Sequence, residues 1–129
     1  MANTLEYLFT CGRVIRDQTS GLFTYVDGFD TLFIPKESDF LYQNICIIAR
    51  VYYAVGGIVK AEIRFVDPDR VDSTPVVITG AMSPGYIQLA AAFPIQKFTK
   101  VGKYYMKIKF QDVELENENK FYFEVLKRQ

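Results

Sequence analysis

The chain has 129 residues, 50% hydrophobic and 16% aromatic, which excludes a disordered chain and suits one domain (residues 1–129) with a single core. Fifteen basic residues balance fifteen acidic ones, so no whole-molecule field attracts a polyanion, and nucleic acid is not an expected partner. There is no histidine, which removes imidazole metal sites and both the Ser-His-Asp and Cys-His forms of nucleophilic catalysis.

No apolar run approaches the roughly 18–20 residues of a membrane-spanning helix, so no membrane is expected. The stretch Met1-Ala2-Asn3-Thr4-Leu5-Glu6-Tyr7 has neither a basic start nor an apolar core, so no signal peptide is expected. On that basis Cys11 and Cys46 read as reduced thiols in a cytoplasmic setting. They could pair as a disulfide, but without a Cys-x-x-Cys spacing they read better as small buried hydrophobes.

Taken in order, Glu6–Ile15 reads as a first strand in which Gly12 marks a bulge or a close backbone approach. Asp17–Gly21 is a turn cluster, and Leu22–Val26 returns as a second strand in a hairpin with the first. Phe29–Ile34 is a short strand ended by Pro35, and Lys36–Tyr42 is a polar connection with room for one helical turn. Gln43–Val55 is the most apolar run. Ile45, Ile47, Ala49, Val51 and Tyr53 share one face, while the other, with Cys46, Ile48, Arg50 and Tyr52, is only half polar. Such a strand is central, or is covered on its back by a loop or a partner.

Gly56-Gly57 signals a tight hairpin. The return strand Ile58–Val66 turns Val59, Ala61, Ile63 and Phe65 inward. Asp67–Pro75 is the main surface loop, Val76–Thr79 a short strand, and Tyr86–Phe93 a strand by its length and its flanking prolines. Ile95–Phe98 leads to the last hairpin. There Tyr104, Met106, Ile108 and Phe110 alternate with Lys103, Tyr105, Lys107 and Lys109. After a short extension at Val113–Leu115, Phe121, Phe123 and Val125 alternate with Lys120, Tyr122 and Glu124. A period of two puts each set on one side of a strand, and one apolar face demands a second sheet. The expectation is all-β, a single antiparallel β-sandwich of about eight or nine strands.

Glu6-Tyr7-Leu8, Gly21-Leu22-Phe23, Val26-Asp27-Gly28-Phe29-Asp30, Asp67-Pro68-Asp69, Phe93-Pro94 and Gly102-Lys103-Tyr104 follow one another in an order that resembles an uncharacterised bacterial family of small stand-alone immunoglobulin-like sandwiches. The resemblance spans nearly the whole chain and rests on turn and core residues. Gly28-Phe29-Asp30 stands where a Gly-Trp-Asp element would be expected. The resemblance implies an immunoglobulin-like fold and brings no activity, substrate or catalytic residue.

Three groups of side chains are candidates for chemistry. Asp67, Asp69 and Asp72 could supply loop oxygens to calcium, with Glu114, Glu116 and Glu118 extending the site. Asp-Pro-Asp is also ordinary turn chemistry, and alternating Glu is a common guard on a sheet edge. Tyr52, Tyr105 and Tyr122 fall on outward faces, where tyrosine serves either an interface or cross-strand packing. No nucleophile–base pair or phosphate-cradling loop occurs, so neither an enzyme nor a cofactor is expected. The leading reading is a protein-interaction or structural subunit, bound to a protein partner or forming a homo-oligomer. The alternative is a small-ligand module that takes carbohydrate or calcium in its end loops.

Overall fold

A computed structural model describes residues 2–129; Met1, which opens the stretch read as lacking a signal sequence, lies outside them. The described residues form no helix, so none is long and apolar enough to cross a membrane. They are all-β. The strands are β1 (Thr4–Cys11), β2 (Arg13–Arg16), β3 (Phe23–Val26), β4 (Thr31–Ile34), β5 (Leu41–Gln43), β6 (Cys46–Tyr53), β7 (Gly57–Val66), β8 (Val76–Met82), β9 (Gly85–Ala92), β10 (Gln96–Phe98), β11 (Gly102–Phe110), β12 (Val113–Glu114) and β13 (Tyr122–Lys127). Thirteen among the described residues exceed the eight or nine expected, because two expected strands break and short pairings add others.

β1, β6 and β9 make an antiparallel sheet in the order β1-β6-β9. A larger sheet runs β4-β13-β11-β7-β8, with β12 folding back on the end of β11. β2–β3 and β5–β10 are separate two-stranded ribbons. The buried faces of the two larger sheets share one hydrophobic cluster. Ile47, Ala49, Val51 and Tyr53 come from β6; Val59, Ala61, Ile63 and Phe65 from β7; Met106, Ile108 and Phe110 from β11. The inward registers expected for these strands are the ones observed.

Phe123 is the aromatic hub of this core. It stacks on Tyr104 at 5.1 Å and meets Phe65, Phe98 and Phe29 edge-on at 5.6, 5.8 and 6.2 Å. Offset and edge-on pairs of this kind add to plain area burial.

Four local expectations need correction. The first strand does not run through to Ile15. It stops at Gly12, where β1 joins β6 and β2 turns away to pair with β3. The Gly12 N–H lies 2.9 Å from Val26 O and 3.1 Å from Asp27 O, and a Cβ there would sit 3.3 Å from that of Asp27. Gln43–Val55 is likewise not one continuous strand, because Gln43 ends β5, which pairs with β10, and only Cys46–Tyr53 joins the sheet.

Gly56-Gly57 does not close a hairpin. β6 belongs to one sheet and β7 to the other, so the turn carries the chain between layers of pairing. Positive φ is still required (84° and 113°), and a Cβ on Gly56 would come within 2.7 Å of Pro84, which makes the other crossing, from β8 to β9. Finally, β4 lies parallel to β13, Thr31 beside Glu124 through Ile34 beside Lys127, where only antiparallel pairing was expected.

Phe123→Ala removes the hub ring from a fully buried site and is expected to cost about 3–5 kcal/mol. Lys107→Ala loses one exposed bond to Asn119 Oδ1 and should change stability by less than about 0.5 kcal/mol. Paired denaturant melts measure both; coincident midpoints would mean that the register of the β11–β13 pair is wrong.

Candidate functional site

The loop carboxylates are divided between two cations, Lys100 for Asp67 and Asp69 and Arg64 for Asp72. Asp67 caps its own turn, its Oδ1 accepting from the N–H groups of Asp69 (2.8 Å) and Val71 (2.9 Å). Lys100 Nζ then joins Asp67 Oδ2 (3.0 Å) to Asp69 Oδ2 (2.8 Å). The backbone donor at Val71 and the lysine hold the Asp67 carboxyl below the usual range. Asp72 faces the other way and pairs with Arg64 Nε at 3.2 Å, while the same guanidinium grips Glu114 with two nitrogens at 2.9 and 3.1 Å. Among the described residues no three His, Cys, Asp or Glu side chains are placed to hold a metal ion.

The tyrosines are also separated. Tyr105 and Tyr122 are neighbours on the outer face of the larger sheet, their rings 5.9 Å apart, with Lys103 Nζ 4.6 Å above the Tyr122 ring. Tyr52 lies on the other sheet, against Tyr86 at 5.2 Å. One aromatic face shared by Tyr52 and Tyr122 therefore does not exist, because their strands belong to different sheets.

The outer face of β1-β6-β9 divides into two halves. In the upper half Cys11, Cys46 and Ile48 are buried with Phe9, Val14, Tyr25 and Ala90. The β2–β3 ribbon supplies the cover: Tyr25 meets Phe9 edge-on at 5.0 Å, and Phe23 continues the row. This half of the back of β6 is thus covered from within the chain, by the ribbon after Gly12, which is one of the alternatives the sequence left open.

The lower half is open. Register places Tyr7, Arg50 and Gln88 in one row and Thr4, Tyr52 and Tyr86 in the next. A bulge leaves Glu6 unpaired between Leu5 and Tyr7, which turns Leu5 toward the core while Tyr7 keeps the outward face of Phe9 and Cys11. Glu6 then bonds Arg50 Nε at 3.0 Å, Arg50 lies 4.6 Å from the centre of the Tyr86 ring, and Gln88 donates to the Tyr7 hydroxyl at 3.0 Å. Tyr86 remains 60% exposed. This is a fixed surface of tyrosines and one stacked arginine, with the polar groups between them already oriented.

Tyr86, Tyr7 and Arg50 were not among the expected site residues. The signal for Tyr86 was present, because turning Leu89 and Ala91 inward places Tyr86 and Gln88 outward. Tyr7 shares the face of Phe9 and Cys11 by alternation, but only the pairing shows that this face is the outer one.

The chain matches no family model, and no curated protein matches it. The site's own chemistry carries the interpretation.

Two measurements test the loop. Millimolar calcium is expected to leave the melting temperature where a chelator leaves it, since the carboxylates already serve Lys100 and Arg64; a rise would mean native-state binding. Asp67, with its carboxyl held low, stabilises the fold at neutral pH. That contribution disappears as the pH falls through the lowered folded-state value and the carboxyl takes its proton. Asp67→Asn should therefore lower stability at pH 7 and flatten the acid limb of the stability–pH curve. An unchanged acid limb would exclude Asp67 as a contributor.

Proposed function

We propose that this chain is a non-enzymatic, immunoglobulin-like β-sandwich that acts as a protein-interaction or structural subunit, associating through the open half of the β1-β6-β9 outer face. A bacterial, cytoplasmic setting belongs to the same reading, supported by the family resemblance and by the two unbridged cysteines. The observation that carries it is the Tyr52–Tyr86 pair with Arg50 stacked upon it. Tyrosine and arginine are enriched among the residues that dominate interface energetics: tyrosine presents a large surface at low entropic cost, and arginine a planar group that stacks and donates hydrogen bonds.

The covered half of the same face supports the reading further. There an apolar stretch continuous with the open half lies against the chain's own β2–β3 ribbon. A formal net charge of zero leaves little long-range repulsion between copies. Self-association is therefore the form tested first, and a different protein partner the second.

Light scattering across the micromolar range should give a mass above that of the monomer. Tyr52→Ser with Tyr86→Ser should return it to the monomer, whereas Tyr105→Ser with Tyr122→Ser should leave it unchanged. The opposite pattern would move the interface to the larger sheet. A wild-type chain that stays monomeric, and from which no partner is recovered by pull-down, would defeat the interaction reading.

A further inference from the structure

The cysteines lie outside the proposed interface, and their placement has chemistry of its own. Cys11 and Cys46 are directly opposite one another in the β1–β6 ladder. Opposed Cα atoms in an antiparallel pair are about 4.5–5.5 Å apart. That falls within the roughly 4.4–6.8 Å over which a disulfide closes without moving the backbone.

Both side chains leave the same face of the sheet and enter one buried cluster with Ile48. Each thiol also points into the Gly12 corner. Cys11 Sγ donates to Arg13 O at 3.5 Å and Cys46 Sγ to Gly12 O at 3.8 Å. Burial, and then the neighbouring Cys46, push the Cys11 thiol up to about 11, and burial raises Cys46 as well. Two small apolar fillers have no need to be opposed in register. A pair that can bond does.

We infer that Cys11 and Cys46 form a masked dithiol, which a low-molecular-weight disulfide of the glutathione class converts to a cross-strand disulfide when the β2–β3 ribbon lifts. Closed, the ribbon excludes the oxidant from both sulfurs, since Cys11 is 0% and Cys46 6% exposed. Opened, it wets the corner and allows a thiolate to form. That thiolate attacks one sulfur of the oxidant, and half of the oxidant leaves as a thiolate. The second cysteine, deprotonated in turn, attacks the protein sulfur of the mixed disulfide and displaces the other half. One S–S bond breaks in the oxidant and one forms in the protein. Two electrons pass to the oxidant, and the two protons lost by the cysteines end on its two released thiolates.

The bond would tie the end of β1 to the start of β6 across everything between them, including the ribbon that masks it. A bridge over a loop of that length restricts the unfolded chain and stabilises the fold.

The test incubates the full chain with excess oxidised glutathione under native conditions, then quenches, denatures and alkylates it before intact-mass measurement. The expected product is lighter than the reduced chain by two hydrogens, takes no alkyl group, and melts several degrees higher than the reduced form. Tyr25→Ala, which loosens the ribbon, should accelerate its formation several-fold. Tyr122→Ala, on the other sheet, should leave the rate unchanged. Two alkyl groups on both wild type and Tyr25→Ala, or two glutathione adducts on one chain, would overturn the disulfide. Equal rates for wild type and Tyr25→Ala would overturn the mask.

Discussion

β6 is apolar on both sides, and most of the architecture follows from having to cover it twice. Its inner face, from Ile47 to Tyr53, is buried in the cluster shared with β7 and β11, where Tyr53 meets Phe110 edge-on at 5.4 Å. Its outer face begins with Cys46 and Ile48, which no aqueous surface would hold at low cost. The chain meets this second demand with its own early segment. That is why the first strand breaks at Gly12, and why β3 returns over β6 instead of extending the sheet. Full cover stops where the outer residues of β6 become Arg50 and Tyr52, which can face water.

Strand identity and facing were legible in the sequence wherever alternation was clean. The inward sets of β7, β11 and β13 follow directly from period two, since each has lysine, arginine or glutamate on the opposite face. Pairing was not legible. Gly56-Gly57 has the residues of a hairpin, but a glycine pair specifies only that the backbone turns through positive φ. Which strands then pair depends on where distant apolar faces are satisfied. The parallel contact of β4 with β13 is beyond local reading for the same reason, because nothing in Thr31–Ile34 encodes a partner so far along the chain. Of the candidate site, Tyr52 could be placed outward. Arg50 shares its face by simple alternation along β6, whereas placing Tyr86 and Tyr7 beside it required knowing that β6 pairs with β9 in one register and with a bulged β1 in another.

The two outer faces use aromatic residues differently. On the larger sheet, Tyr105 and Tyr122 sit among cations and carboxylates. Arg64 is committed to Asp72 and Glu114, and Lys107 reaches Asn119. Mixed charge of this kind keeps a sheet face in solution and discourages stacking of copies. On the smaller sheet the open half has, among the described residues, the ion pair of Glu6 with Arg50 and the bond from Gln88 to the Tyr7 hydroxyl. That contrast, more than the number of tyrosines, distinguishes the two faces.

The parallel pairing of β4 with β13 also has a temporal meaning. Glu124 N–H reaches Asp30 O at 2.8 Å and Arg128 N–H reaches Ile34 O at 2.9 Å, so β4 is held by a strand far along the chain from it. β7 and β8 follow one another in the sequence and can pair locally. Leu32 and Ile34, both buried in the finished core, have no strand to lie beside until β13 is in place. Contacts of such long sequence separation form slowly, and an unpaired strand with an apolar face is the part of a nascent chain most open to wrong partners. Until β13 is in place, β4 is an edge without a partner, and its docking depends on a contact between segments far apart in the chain.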